Sequence, residues 1–386
     1  MLIYCRRLPY GNFSNSYTKI PILLIMEIGI IGLPQAGKKT LFNLLTSQGL
    51  ASDSSPGPVK SHDPHIGISQ VYDQRLYKLA EMYKPKKVVP AVIKYILLPG
   101  LSKNSEENRK TFKSISSVDA VCHIVRGFRD ETIFHIDGTI DPVRDIEYAE
   151  NELLLNDLIF TESHLERLEK EIKRKHETKT LKELELIKRI QEYLNNETSL
   201  RLVTFTEEEK KMINAYPYLT RKNILIALNA DENDITDNSS LTQIQQRFSN
   251  KGMHCAQVSC KIEMELAQIE DEEERSAFLR ELGIKYSALE KITQLSYKAL
   301  DRLSFFTVGK DEVRAWTVRE NTTASQAGGV VHSDIERGFI RAEHMRVEDL
   351  LELGSEAKIK EAGKLSLHGK DYIVRDGDIL HFRFNV

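Results

Sequence analysis

Cysteine is scarce in this sequence, and its four residues (Cys5, Cys122, Cys255 and Cys260) form neither a Cys-x-x-Cys pair nor a disulfide-framework spacing. That excludes a disulfide-stapled scaffold and favours a reducing cytoplasm. Long hydrophobic runs are also missing; none approaches the roughly 20 residues that a membrane span needs. An excess of charge of either sign is absent, because 54 Lys and Arg face 57 Asp and Glu, for a net charge of −3. No global basicity therefore argues for nucleic acid, and any RNA contact must come from a local patch. The 386 residues, 41% hydrophobic and 29% charged, have the make-up of an ordinary soluble chain with room for two or three domains.

The informative stretch begins at Ile28. Residues 28–33 form a continuous apolar run, read as a strand buried on both faces of a parallel sheet, and 39–45 reads as a helix. Between them lies Gly32-x-x-x-x-Gly37-Lys38. Gly37 lets the backbone curl so that successive amides point inward. The helix N-terminus adds a positive dipole end, and Lys38 can reach outer phosphates. One position breaks the pattern. Ser or Thr is expected after the lysine, where its hydroxyl holds Mg²⁺, and this chain has Lys39. Thr40 comes one helical step later, turned by about 100° from that position. Phosphate binding is expected to survive; metal-assisted hydrolysis is not.

Residues 1–25 place Arg6, Arg7 and Lys19 ahead of an apolar run, as a signal peptide would. That run flows directly into the strand of the phosphate loop, so 1–25 is read as a disordered extension or a start-site artefact, with Met26 as the functional start. The Ser-, Pro-, Asp- and Gly-rich 51–64 reads as a mobile loop, where P-loop enzymes have their first switch. A strand over 66–71 and a helix over 75–83 follow. Residues 88–98 read as the second major strand, ending Leu97-Leu98-Pro99-Gly100. P-loop NTPases place Asp-x-x-Gly here, the Asp supporting Mg²⁺ and the Gly amide sensing the γ-phosphate. Gly100 is present, but Leu97 occupies the Asp position. The polar, glycine-free 102–111 reads as the start of a helix rather than a flexible switch.

Residues 119–126 read as a buried strand containing a core histidine, His123. Beyond Asp145 the period becomes helical. Leu158, Leu165, Leu168 and Ile172, then Ile187, Ile190 and Leu194, recur at three-four spacing around a polar tip at 173–180. This predicts an antiparallel coiled-coil arm. Its basic cluster (Lys170, Lys173, Arg174, Lys175, Lys179) is available to RNA phosphates or a partner protein. Residues 224–232 return to the sheet and deliver Asn229, Ala230 and Glu232 at the strand end, where base-reading residues sit in P-loop proteins. Ser259-Cys260-Lys261 ends the next strand as a backbone lid over the base. Surface helices are expected over 262–282 and 286–303. Short strands at 313–318, 338–343, 371–374 and 379–385 then make a small α+β domain.

The expected fold is α/β. A Rossmann-like P-loop NTPase domain in two parts, 26–144 and 218–303, is interrupted by a coiled-coil helical insertion at 145–217 and followed by the α+β domain at 304–386. From Met26 to Val386 the chain resembles the YchF, or Obg-like ATPase, family within the translation-factor P-loop GTPases. The resemblance is carried by Gly32-Leu-Pro-x-x-Gly-Lys, Asp141-Pro, Tyr218-Leu-Thr220, the run Phe-Phe-Thr-Val-Gly-Lys-Asp-Glu-Val-Arg-Ala-Trp-Thr-Val, Gly338-Phe-Ile-Arg-Ala-Glu343, Glu361-Ala-Gly-Lys, Gly369-Lys-Asp-Tyr-Ile-Val and His381-Phe-Arg-Phe-Asn-Val386.

That resemblance implies a carboxyl-terminal β-grasp module of the TGS type. It also implies ATP preferred over GTP, because the guanine-reading Asn-Lys-x-Asp becomes Asn-x-x-Glu, here Asn229 and Glu232. A hydrophobic residue replaces the catalytic Gln, here Leu101. The implied nucleotide site comprises Gly32, Gln35, Ala36, Gly37, Lys38, Lys39, Thr40, Gly100, Asn229, Ala230, Glu232 and Ser259. The family's Mg²⁺-ligand positions fall on Lys39, Ser61 and Leu97, so no metal ligand and no catalytic residue is assigned. The expected function is adenine-nucleotide binding (ATP, with GTP second) near the ribosome, with hydrolysis impaired or absent and Mg²⁺ coordination in doubt. A working Mg²⁺-dependent ATPase and a nucleotide-independent ribosome- or RNA-binding scaffold are the alternatives. Ribosome or RNA contact would run through the arm and the TGS module. A cytoplasmic monomer without membrane contact is expected.

Overall fold

The computed structural model describes residues 26–47, 65–174, 177–269, 271–284 and 287–385. The expectations for 1–25, for Lys175 and for the loop at 51–64 with Ser61 lie outside them. In chain order, β1 (Met26–Ile31) feeds the phosphate loop and α1 (Lys38–Thr46). Next come β2 (His65–Gln70), α2 (Gln74–Tyr83), β3 (Lys87–Val89) and β4 (Val92–Leu97). The apolar run expected as one strand over 88–98 is thus two strands. Pro90 lacks the N–H that a continuous ladder needs. Asn104 accepts from Glu106 N at 3.0 Å and starts α3 (Ser105–Ser117), the expected polar helix. The fully buried β5 (Ala120–Arg126) follows.

Asp141 caps α4 (Pro142–Ile172), with Pro142 in the first turn where its missing N–H costs nothing. This helix and α5 (Thr178–Asn195) form the antiparallel arm, closed by a seam of Leu165, Leu168, Leu186, Ile187, Ile190 and Leu194. A capping box starts α6 (Glu207–Ile213). Then come β6 (Asn223–Asn229), α7 (Ser239–Phe248), β7 (Met253–Val258) and α8 (Cys260–Leu266). The single helix expected over 262–282 is two, because Asp271 caps a new one, α9 (Glu272–Glu281), by accepting from Glu274 N at 2.8 Å. After α10 (Ala288–Ala299), the hairpin β8 (Arg302–Thr307) and β9 (Glu312–Arg319) leads to α11 (Ala324–Val331) and α12 (Ser333–Arg337). The chain ends with β10 (Phe339–Arg346), α13 (Val347–Leu353), α14 (Glu356–Glu361), β11 (Ser366–His368) and β12 (Asp378–Phe384). The strand expected over 371–374 reduces to an isolated bridge between Ile373 and Thr323.

The chain forms two compact units, Glu27–Gly67 with Tyr95–Leu295, and Ile68–Lys94 with Ser296–Val386. In the first, the sheet order is β2-β4-β1-β5-β6-β7. Parallel register aligns Ile31 with His123, Arg126 with Asn229, and Asn229 with Val258. The carboxyl ends of β1, β5, β6 and β7 therefore share one edge, and the strand order reverses at β1. Ligands of open α/β sheets bind at such an edge. In the second unit the order is β11-β10-β12-β8-β9-β3. Here β3 pairs in parallel with β9, from Lys87 opposite Glu312 to Val89 opposite Arg314. Helix α2 belongs there too: Arg75 bonds Asp376 at 2.6 Å and lies 5.3 Å from the Phe306 ring. Within 68–94, which the sequence boundaries put in the P-loop domain, α2 and β3 pack with the carboxyl-terminal residues, while the two ends of the segment are strand residues of β2 and β4.

Candidate functional site

At the shared edge of the first unit lies a cleft of about 710 Å³, lined by the phosphate loop, by residues 128–136, and by the ends of β6 and β7. The loop owes its shape to glycine. Gly37 has φ 98°, and a Cβ there would fall 2.6 Å from Asn229 Nδ2. At Gly32 a Cβ would fall 2.5 Å from the Ile124 carbonyl. Lys38 donates to the Gly32 carbonyl at 3.2 Å. That carbonyl also accepts from Leu101 N at 3.1 Å, which brings the turn after β4 against the loop. A Cβ on Gly100 would lie 2.2 Å from Lys38 Nζ, so only glycine leaves the lysine its place.

Asn229 joins both ends of the cleft. Its Nδ2 donates to the Ala36 carbonyl at 3.1 Å, and its Oδ1 accepts from Cys260 N at 3.1 Å. One buried amide thus holds the phosphate loop and the Ser259–Lys261 turn together. Glu232, just beyond the end of β6, lies 2.6 Å from Lys261 Nζ. Cys260 also lines the cleft, but burial holds its thiol neutral, well above the ordinary thiol range.

Of the sequence-derived site, Gln35, Gly37, Thr40, Asn229, Ala230, Glu232 and Ser259 line the cleft. Gly32, Ala36, Lys38 and Gly100 bear on it through the contacts just given. Thr40 reaches the lining, and Lys39 does not. Leu97 is 8% exposed and, like Lys39, offers no side-chain oxygen, whereas Mg²⁺ takes oxygen ligands.

The segment after Gly100 is held from several sides. The Asn108 side chain accepts from Ser102 N at 2.8 Å and donates to Ser102 O at 2.9 Å. Thr111 Oγ1 donates to Gly100 O at 3.2 Å, and Tyr148 OH donates to Ser102 O at 2.5 Å. Lys103 pairs with Asp137 at 2.9 Å.

Sequence reasoning missed the wall at 128–136. It contributes Phe128, Arg129, Asp130, Thr132, Ile133, Phe134 and Ile136, while Asp231, Lys261 and Met264 complete the lining beyond β6 and β7. Gly127 N and Phe128 N both donate to Asn229 O, at 2.8 and 3.0 Å. The available signal was the position of Arg126-Gly127-Phe128 at the carboxyl end of a parallel strand, the edge where ligands bind.

Comparison with known proteins agrees with this fold. A family model described as "50S ribosome-binding GTPase" matches residues 27–161, and the model of the YchF GTPase C-terminal domain, described as a protein of unknown function, matches residues 303–385. The chain is 40% identical over 370 residues to the "Ribosome-binding ATPase YchF" of Bacillus subtilis, covering 94% of this chain and 100% of that one. It is 37% identical over 368 residues to "Obg-like ATPase 1" of Caenorhabditis elegans, covering 93% and 92%. Among solved structures, the Schizosaccharomyces pombe YchF GTPase matches with a TM-score of 0.80 at 33% identity, covering 93% of this chain and 97% of that one. With a phosphate loop on the parallel sheet, a coiled-coil arm and this carboxyl-terminal domain, the chain belongs to the YchF family of P-loop NTPases.

Proposed function

We propose that this protein binds adenine nucleotide in preference to guanine nucleotide and that its Mg²⁺-dependent hydrolysis is impaired or absent. The observation that carries the reading is the asymmetry of the cleft. Its phosphate and base ends are joined through Asn229 to Ala36 O and Cys260 N, whereas the positions that hold metal in the family are Lys39 and Leu97. At the base end the carboxylate is Glu232 in place of the guanine-accepting Asp, and Lys261 already pairs with it, which lowers the return on guanine. The bonds from Asn108, Thr111 and Tyr148 to the 100–102 segment support the same reading, because that segment is pinned where the family has a switch. Lys38 and Lys39 together would offset phosphate charge.

The Bacillus subtilis relative is a ribosome-binding ATPase by name, and we carry that partner to this chain, with the arm and the carboxyl-terminal module as the contacting parts and RNA within their reach. A cytoplasmic monomer follows from the same reading; among the described residues no helix is long and apolar enough to cross a membrane.

The test is calorimetric titration with non-hydrolysable ATP and GTP analogues, each with Mg²⁺ and with EDTA. Binding of the ATP analogue alone, little changed by EDTA, is expected; a loss of about tenfold on chelation would sink the metal-independent reading. Thr40 in the cleft lining favours a second reading, a working Mg²⁺-dependent ATPase in which its hydroxyl is recruited to the metal. Mg²⁺-dependent turnover abolished by Lys38→Ala would select it. Co-sedimentation with ribosomes without any nucleotide binding would select a scaffold.

A further inference from the structure

Arg126 ends β5 and is only 2% exposed. Burying a guanidinium is costly unless its donors are met. Its hydrogen bonds among the described residues all run to main-chain carbonyls of the following loop. Nε donates to Phe128 O at 3.3 Å, Nη2 to Asp130 O at 3.1 Å, and Nη1 to Ile133 O at 3.0 Å and Phe134 O at 3.4 Å. The guanidinium carbon also lies 4.6 Å from the centre of the Phe128 ring. One cation therefore gathers the backbone of the whole turn.

The same turn presents Phe128, Ile133 and Phe134 to the cleft, and Phe134 is 75% exposed. A large ring held in solvent at the lip of a cleft is surface that a planar ligand would cover. Arg126 itself does not line the cleft, so it acts only through the loop.

We propose that Arg126 is a positioning residue for the base end of the cleft: by holding the 128–134 carbonyls it sets the apolar wall that receives the planar base of a bound nucleotide. This rests on the nucleotide reading given above. It separates the two ends chemically. The phosphate loop binds through its own amides and Lys38, which Arg126 does not touch, whereas the base depends on a wall whose shape one buried guanidinium maintains. Lysine, with three donors on a compact ammonium, cannot span the same set of carbonyls.

The experiment compares a non-hydrolysable ATP analogue with inorganic tripolyphosphate, by calorimetry, on the full chain and on Arg126→Met and Arg126→Lys. The expected result is a loss of about tenfold for the ATP analogue in Arg126→Met, the scale of one stacking contact. Tripolyphosphate affinity stays unchanged, and Arg126→Lys falls between. Equal losses for both ligands would make Arg126 merely structural and overturn the proposal, as would no loss for either. If Arg126→Met does not fold, the same ratio measured on Arg126→Lys decides. A parent chain that binds tripolyphosphate but no ATP analogue would overturn the nucleotide reading itself, before any variant is compared.

Discussion

Protonating His123 should loosen the P-loop unit in a way that can be measured. The imidazole is 2% exposed on β5, and its Nε2 has no hydrogen-bond partner among the described residues. Burial, helped by the nearby Lys38 charge, pulls its pKa from the ordinary 6.5 down to about 4. The unfolded chain takes up a proton as pH falls through the ordinary value, while the folded chain resists until pH reaches about 4. Between those values the unfolded state binds more protons, so stability is full at neutral pH and is lost as pH falls through the window. At about 1.4 kcal/mol per unit, the whole shift corresponds to roughly 3 kcal/mol, of which about 2 is gone by about pH 4.5. His123→Leu puts an apolar side chain of similar size in the strand and removes the titration. Urea titrations followed by far-ultraviolet circular dichroism, at neutral pH and at about pH 4.5, would measure both proteins. Carboxylates elsewhere titrate in both, so the difference between them isolates His123. That difference should move by about 2 kcal/mol in favour of His123→Leu on acidification. A difference that stays constant with pH would refute the reasoning.

Three further outcomes follow from the geometry. Arg201 and Glu150 form a buried ion pair with each side chain 1% exposed, so Arg201→Met alone should cost about 3–5 kcal/mol in urea titrations, while Arg201→Met with Glu150→Leu should cost less than the two single changes added. In Gly100→Ala the new methyl meets Lys38 Nζ, the mobile end of a long side chain; melting should barely change, while triphosphate affinity measured by calorimetry should fall about tenfold and adenosine affinity should hold. Asn229→Ala removes bonds to both Ala36 O and Cys260 N, so it should lose about 2 kcal/mol of stability and weaken the ATP analogue more than tripolyphosphate, as read by thermal melts and calorimetry.

Much of the fold was legible because its signals are local. The apolar run 28–33, the glycines around Lys38, and the three-four spacing from Leu158 to Leu194 each specify an element within a few turns of chain. The allocation of α2 and β3 was not. Strand β3 has three residues, and its partner β9 lies more than two hundred positions later. Nothing in Lys87-Val-Val distinguishes a strand of one sheet from a strand of the other, because pairing across such a separation is decided by packing. The same holds for α2, whose Arg75 reads as a surface cation until Asp376 is brought to it. Boundaries failed for a different reason. Pro90 and Asp271 are visible stop and start signals, and each was overridden by the hydrophobic pattern around it.

The two ends of the candidate site were unequally legible, and the difference is chemical. A leucine where the family resemblance places a metal ligand can be read at once, since an apolar side chain has no donor to lend in any conformation. An arginine closing an apolar strand carries no such sign, because solvent is where a charged residue ordinarily belongs. Arg126 departs from that rule only because the carbonyls of Phe128, Asp130, Ile133 and Phe134 fold back onto it. Main-chain carbonyls are present in every sequence and therefore leave no trace in composition or spacing. A site whose walls are held by side-chain-to-backbone bonds is consequently hidden from a residue-by-residue reading, even when every side chain lining it is in plain view. Phe128, Ile133 and Phe134 read as ordinary loop residues for that reason, and the wall they make rests on the turn that the guanidinium holds.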